Sequence, residues 1–134
     1  MDSRHHGRAF LMTVRNLVAI VDDDESVRES LPDLLGSFGF EAVPFSCAED
    51  FLGFEGIDRT ACLVLDVAMP GLSGPELQEE LARRGYDIPI VFITAHSDER
   101  GWPKLKASGA VACLLKPFSE SAILEAVRAA FIRK

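Results

Sequence analysis

Five short apolar runs divide this chain, and each ends abruptly at a polar or turn-forming residue. The runs cover 17–21, 40–45, 61–65, 88–93 and 111–115. Short runs that are apolar at almost every position are typical of strands buried on both faces. The segments between them carry apolar residues at helical spacing. This alternation predicts one α/β domain, a doubly wound five-stranded parallel sheet with helices on both faces.

Proline and capping residues refine this pattern. Pro44 lies within the second run and cannot donate to a sheet ladder, so that strand is expected at an edge of the sheet. Ser46 and Glu49 have the S-x-x-E spacing of a capping box, and Ser73 and Glu76 repeat it. A capping box closes the first turn of a helix, so one helix is predicted to begin at each pair.

The length of 134 residues and the formal net charge of −7 limit what the chain can do. One ordinary domain accounts for the length, with 1–15 expected as a flexible tail and 16–134 as the domain. An acidic chain repels nucleic acid and anionic membrane surfaces, and no apolar run reaches the ~18 residues needed to cross a bilayer. Cys47, Cys62 and Cys113 show no metal-ligand spacing, so we interpret them as reduced packing residues of a cytoplasmic protein.

Polar residues suited to phosphate and a hard cation follow four of the five runs. They are Asp22, Asp23 and Asp24, then Asp66, Thr94 and Lys116. In an open parallel sheet, ligands bind beyond the carboxyl ends of the strands, so these side chains are expected to share one cleft. Thiol-free carboxylate clusters favour Mg²⁺, and a lysine can balance the charge of a phosphoryl group. Because an aspartate carboxylate can form an acyl phosphate, the pattern predicts phosphoryl transfer to Asp66.

The chain resembles the receiver domains of two-component response regulators, of the chemotaxis-Y and nitrogen-fixation-J kinds. The matching stretches are IVDDDESVR at 20–28, LDVAMPGLSG at 65–74, ITA at 93–95 and LKPF at 115–118. Each piece alone is weak, but the set falls in order at strand ends and spans about 16–132. The resemblance implies a flavodoxin-like fold with strand order 2-1-3-4-5. It also implies a phosphorylated signalling switch and not a turnover enzyme.

Site roles follow from the resemblance. Asp66 is implied as the phosphoacceptor. Asp23, Asp66 and the backbone carbonyl of Ala68 are implied as direct ligands of Mg²⁺, for which Mn²⁺ can substitute, with Asp22 acting mainly through water. Thr94 is implied as the hydroxyl that moves toward the phosphoryl group.

The same resemblance gives the remaining site and the partners. Lys116 is implied as the lysine that pairs with the phosphoryl group, and the peptide bond between Lys116 and Pro117 as cis. The phosphoryl donor is expected to be a sensor histidine kinase or a phosphotransfer protein, and a homodimer is possible. No direct contact of this segment with nucleic acid or membrane is expected.

Three positions depart from the common pattern or tune it. Ala68 and His96 lie where the family varies its side chains to set the lifetime of the acyl phosphate. Cys113 stands where many receivers carry an aromatic switch residue. A glycine and a proline also interrupt 98–108, which predicts a short or distorted helix there. These departures keep open a second interpretation, a pseudo-receiver that binds partners but switches poorly.

Two rival enzyme or carrier classes fit less well. A flavin-binding electron carrier shares the strand order, but the acidic loop 22–25 would repel the phosphate of its cofactor. An aspartyl-phosphate hydrolase is expected to have a second acid two residues after its nucleophile, where this chain has Ala68. The receiver interpretation therefore leads.

Overall fold

The structure, a computed structural model, describes residues 16–95 and 102–132. Its five parallel strands form one sheet in the order 2-1-3-4-5, numbered along the chain. The strands are β1 (Leu17–Val21), β2 (Glu41–Phe45), β3 (Thr60–Asp66), β4 (Ile90–Thr94) and β5 (Ala112–Leu115). The predicted fold class and strand order are confirmed. Pro44 lies in β2 at an edge, where its missing N–H costs no ladder hydrogen bond. The expected tail 1–15 and His96 lie outside the described residues.

Five helices connect or follow the strands within the described ranges. They are α1 (Glu25–Ser37), α2 (Ala48–Leu52), α3 (Gly74–Arg83), α4 (Trp102–Ala107) and α5 (Glu120–Ile132), and a short 3₁₀ turn covers Ile57–Arg59. The six residues of α4 agree with the prediction of a short helix in this region, although 98–101 lie outside the described residues. Among the described helices, none has the length and apolar character to cross a membrane.

The two faces of the sheet each carry a hydrophobic core, because successive strand residues point to opposite sides. Val18 and Ile20 of β1 pack on the face covered by α1 and α5. Ala19 and Val21 pack on the face covered by α2, α3 and Leu105 of α4. Residues 17–21 are fully buried, which explains why the sequence is apolar at every position of this strand.

One of the two predicted capping boxes is present and the other is wrong. Ser73 accepts a hydrogen bond from the N–H of Glu76, whose carboxylate accepts one from the N–H of Ser73. In contrast, α2 begins after Cys47, with no side-chain cap. Glu49 instead accepts a hydrogen bond from the N–H of Leu72, at 3.2 Å. Ser46 and Glu49 have the spacing of a capping box, but the carboxylate of Glu49 binds a backbone N–H that is distant in sequence.

Gly74, at the start of α3, packs too closely on the chain after Asp66 to carry a side chain. A Cβ at Gly74 would lie 2.4 Å from the carbonyl oxygen of Asp66 and 3.0 Å from the Cα of Val67. Both are backbone atoms, so any larger residue must displace either the helix or the segment that carries Asp66. Gly74 therefore couples the start of α3 to the end of β3.

We expect Gly74→Ala to lower the free energy of unfolding by about 2 kcal/mol or more, because the added methyl group overpacks rigid backbone. Gly36→Ala should raise it by about 0.5–1 kcal/mol, since alanine favours a helix more than glycine does. Gly36 lies in α1, and nothing lies within 4 Å of the position its Cβ would take. Urea unfolding followed by circular dichroism measures both changes. Effects of the same sign would contradict the packing argument.

Candidate functional site

The carboxyl ends of four strands meet at one edge of the sheet. Asp22 follows β1 directly, and Asp66 is the last residue of β3. Asp66 is in register with Ile93, and Thr94 with Leu115. The N–H of Lys116 donates to the carbonyl of Thr94 at 2.8 Å. Parallel pairing therefore brings the predicted residues of four separate segments to neighbouring positions.

Three of these residues form an acidic cluster. One carboxylate oxygen each from Asp22, Asp23 and Asp66 lies within 4.8 Å of the others. Asp22 is fully buried and Asp66 is 5% exposed, whereas Asp23 is open to solvent. Two buried acids of like charge are unfavourable unless a cation balances them. The exposed side of the cluster, at Asp23, gives such a cation a way in.

Both carboxylate oxygens of Asp22 have partners within the site. Its Oδ1 accepts the N–H of Asp24 at 2.9 Å, and its backbone carbonyl accepts from Nη1 of Arg28 at 3.0 Å. Its buried Oδ2 forms an ion pair with Nζ of Lys116 at 2.8 Å. The cluster of Asp22, Asp23 and Asp66 offers carboxylate oxygens and no thiol, and oxygen ligands are those that Mg²⁺ takes. The donor set therefore fits this metal.

Lys116 supplies the cationic side chain of the site. Its Nζ lies 2.8 Å from Oδ2 of Asp22, 3.6 Å from Oδ2 of Asp66 and 3.9 Å from Oδ2 of Asp24. Burial by itself would lower the pKa of this lysine, but the three carboxylates outweigh it and raise the pKa above its usual value. Lys116 is therefore held charged, and it lies closer to Asp22 than to Asp66.

The carboxyl of Asp66 is strongly perturbed. Burial is the main cause and the neighbouring Asp22 adds to it, so the pKa of Asp66 is raised to about 7. Lys116 and the N–H of Ala68, which lies 3.4 Å from Oδ1, oppose this shift but do not cancel it. Without a cation, Asp66 therefore binds a proton near neutral pH, and an added positive charge would favour its ionised form.

Asp24 has a structural role in the start of α1. Its Oδ1 accepts hydrogen bonds from the N–H and the hydroxyl of Ser26, at 3.0 Å and 2.8 Å. These bonds, led by the one from the Ser26 hydroxyl, lower the pKa of Asp24. It is the N-cap residue of the helix, as a strand-end aspartate often is.

The other predicted residues are placed as follows. Thr94 is buried at the end of β4, and the peptide bond between Lys116 and Pro117 is cis. Ala68 is exposed and Cys113 is half-buried in β5. His96, the second proposed tuning residue, lies outside the described residues.

Two further residues at this edge were missed by sequence reasoning. Arg28 braces the β1–α1 loop through the carbonyl of Asp22, and Glu49 reaches the loop after Asp66 from α2. Arg28 falls inside the stretch 20–28 that carried the resemblance, so its position in the sequence already indicated a place near the site. The position of Glu49 was misleading, because its spacing from Ser46 predicted a local capping box and not a contact with a distant loop.

Comparison with known proteins assigns the family. The family model described as "Response regulator receiver domain" matches residues 18–128. The chain belongs to this family: it is the receiver domain of a two-component response regulator, a signal-transduction module and not a turnover enzyme. Its acidic pocket is typical of the Mg²⁺ sites of receivers, and the family implies a cognate histidine kinase.

Individual relatives lie close to this chain. Nodulation protein W of Bradyrhizobium diazoefficiens is 44% identical over 129 residues, which cover 96% of this chain and 57% of that protein. Transcriptional regulatory protein FixJ of Azorhizobium caulinodans is 42% identical over 117 residues, covering 87% of this chain and 55% of that protein. The solved structure of response regulator StyR superposes with a TM-score of 0.81 at 48% identity, covering 87% of this chain and 59% of that one. The chain therefore spans little more than half the length of these relatives.

The raised pKa of Asp66 predicts how pH changes stability. Because the pKa is higher in the folded than in the unfolded protein, the folded state binds the proton more tightly, and stability falls as pH rises from about 4 to about 7. Asp66→Asn removes this loss. In the presence of EDTA, we expect the variant to exceed wild type at pH 8 by on the order of 1–3 kcal/mol, with no difference near pH 4. Urea unfolding at both pH values measures this, and a difference that does not depend on pH would contradict the assignment.

Proposed function

We propose that this receiver domain takes a phosphoryl group onto the carboxylate of Asp66 in a Mg²⁺-dependent reaction. The observation that carries the proposal is the contact of Lys116 with two buried carboxylates, Asp22 and Asp66, at the carboxyl end of the sheet. This arrangement leaves excess negative charge on two buried carboxylates. Such a site suits a phosphoryl group that is accompanied by a cation and is transferred to a carboxylate.

The residues that would hold the cation are Asp23, Asp66 and the backbone carbonyl of Ala68, with Asp22 acting through water. The mutual approach of the three carboxylates supports this set. When bound, Mg²⁺ would neutralise charge on the transferred group and on Asp66. Mn²⁺ would take the same oxygen ligands.

The reaction would be an in-line displacement at phosphorus. An oxygen of ionised Asp66 forms the new P–O bond while the P–N bond to the imidazole of a phosphohistidine breaks. The imidazole leaves with the bonding electron pair and takes a proton. Lys116, charged and 3.6 Å from Asp66, would pair with a phosphoryl oxygen, and the hydroxyl of Thr94 would donate to another.

The phosphoryl donor would be a sensor histidine kinase or a phosphotransfer protein. Relatives named as transcriptional regulators are nearly twice the length of the segment they share with this chain. This supports a role as the phosphorylated half of a transcriptional response regulator. The receiver would then act on its output by conformational change, with possible homodimer formation.

A second function, a partner-binding pseudo-receiver with impaired switching, is favoured by one observation. Cys113 occupies the half-buried position in β5 where many receivers place an aromatic switch residue. A cysteine side chain is too small to report on the site by swinging between buried and exposed positions as an aromatic ring does. Chemistry at Asp66 without a response at the β5 surface would identify this function.

Intact mass spectrometry after incubation with acetyl phosphate tests the proposed function. We expect a phosphoryl adduct on wild type in the presence of Mg²⁺, and none after EDTA treatment. Asp66→Asn should show no adduct, while the N-cap variant Asp24→Asn should keep it, because Asn also caps helices well. A lack of adduct on wild type, or an adduct that persists on Asp66→Asn, would refute the assignment.

Dephosphorylation should depend on Ala68. The side chain is exposed beside Asp66 and carries no group able to orient an attacking water. Ala68→Asn adds an amide at this position, so we expect the acyl phosphate to decay at least about threefold faster. Loss of the adduct with time, measured by intact mass after removal of the donor, reports the rate. An unchanged rate would remove Ala68 from the residues that set the lifetime.

A further inference from the structure

A carboxylate on α2 contacts the loop that follows Asp66. Oε2 of Glu49 accepts a hydrogen bond from the backbone N–H of Leu72 at 3.2 Å. The same oxygen lies 2.9 Å from the position that a Cβ on Gly71 would take, and Gly71 has a φ of +76°. The loop 67–73 therefore turns directly against this side chain, at a point where the backbone conformation itself favours glycine.

The helix that carries Glu49 is fixed to the core. Ala48 and Phe51 of α2 are fully buried, and the ring of Phe51 lies 5.5 Å from that of Phe45 on β2. Because these contacts fix α2, Glu49 offers a fixed anchor to whatever binds it. Its neighbour Asp50, also exposed and acidic, makes no hydrogen bond to the loop.

The loop is held at three points. At its start, the N–H of Val67 donates to the carbonyl of Ile93 at 2.9 Å. At its end, the N–H of Gly74 donates to the carbonyl of Val67 at 2.9 Å. Between these two points, the bond from Leu72 to Glu49 ties the loop to a different element, α2. Ala68 is exposed in the same loop, so its carbonyl direction depends on these restraints.

We propose that Glu49 is a positioning residue for the phosphorylation site. Through the N–H of Leu72, its carboxylate holds the loop 67–73 in the conformation that presents the backbone carbonyl of Ala68 to the cation. The inference rests on the proposed function, since it matters only where Asp66 and Ala68 share a bound cation. Glu49 itself touches neither the cation nor the phosphoryl group.

The exposure of Glu49 separates this role from a purely structural one. A hydrogen bond at an exposed site contributes little to global stability, because water replaces it readily in the unfolded chain. Its loss is therefore expected to change the local loop and the cation affinity more than the free energy of unfolding. A surface loop can open locally without global unfolding, so the two changes can be measured separately.

Isothermal titration with Mg²⁺ on the full chain tests the inference with three variants. We expect Glu49→Ala to raise the Mg²⁺ dissociation constant about threefold to tenfold, the effect of losing one charge-assisted hydrogen bond. Glu49→Gln should retain most of the affinity, because its amide oxygen still accepts from Leu72. Asp50→Ala removes the same charge from the same turn, and it should stay within about twofold of wild type.

Amide hydrogen exchange at Leu72 gives a readout that a change of charge alone would not move. Exchange should be about fivefold or more faster in Glu49→Ala than in Asp50→Ala, at equal free energies of unfolding. Equal Mg²⁺ affinities and equal exchange in these two variants would refute the positioning role while leaving the proposed function intact. Global unfolding of Glu49→Ala would refute it as well, by showing a general structural role. If wild type binds no Mg²⁺, the proposed function fails and the positioning role fails with it.

Discussion

The burial of two carboxylates beside one lysine is the constraint on which the rest of this structure depends. Asp22 and Asp66 lose most of their hydration at the end of the sheet, and one ammonium group balances only part of their charge. Burial, with the neighbouring Asp22 adding to it, raises the pKa of Asp66 to about 7. Such a site costs stability in the cation-free protein. The fold tolerates this cost because two complete hydrophobic layers flank the sheet and hold its strands in register.

The loops at this edge are braced from several sides. Arg28 ties the carbonyl of Asp22 to α1, Gly74 packs α3 against the backbone of Asp66, and Glu49 joins α2 to the loop 67–73. None of these residues is expected to contact a phosphoryl group. They fix the backbone positions from which the acidic side chains project, and a site that needs several ligands at once depends on that precision.

The family assignment and the geometry of the site agree, but they support different conclusions. The family assignment rests on a match over 18–128, which covers the whole sheet and most of the helices. It defines the module and the class of its partner. The roles proposed for Asp66, Thr94 and Lys116 come from the resemblance, and the geometry of this chain is consistent with them, since it places Lys116 3.6 Å from Asp66. Cys113 is half-buried in β5, and its part in signalling belongs to the proposed function.

The sequence by itself determined the fold class and the acidic cluster, and its resemblance to receiver domains implied the strand order. Fully buried strands must be apolar throughout, and the polar residue that ends each run must then lie at the sheet edge. Pro44 determined an edge strand in the same way, because a missing N–H is tolerated only there. Only the tertiary structure decided that Lys116 lies nearer to Asp22 than to Asp66, and that Glu49 binds Leu72 instead of capping its own helix. Local spacing specifies which hydrogen bonds a side chain is able to make with its own helix. Which bond forms also depends on donors that folding brings close, and the N–H that Glu49 binds lies 23 positions away along the chain.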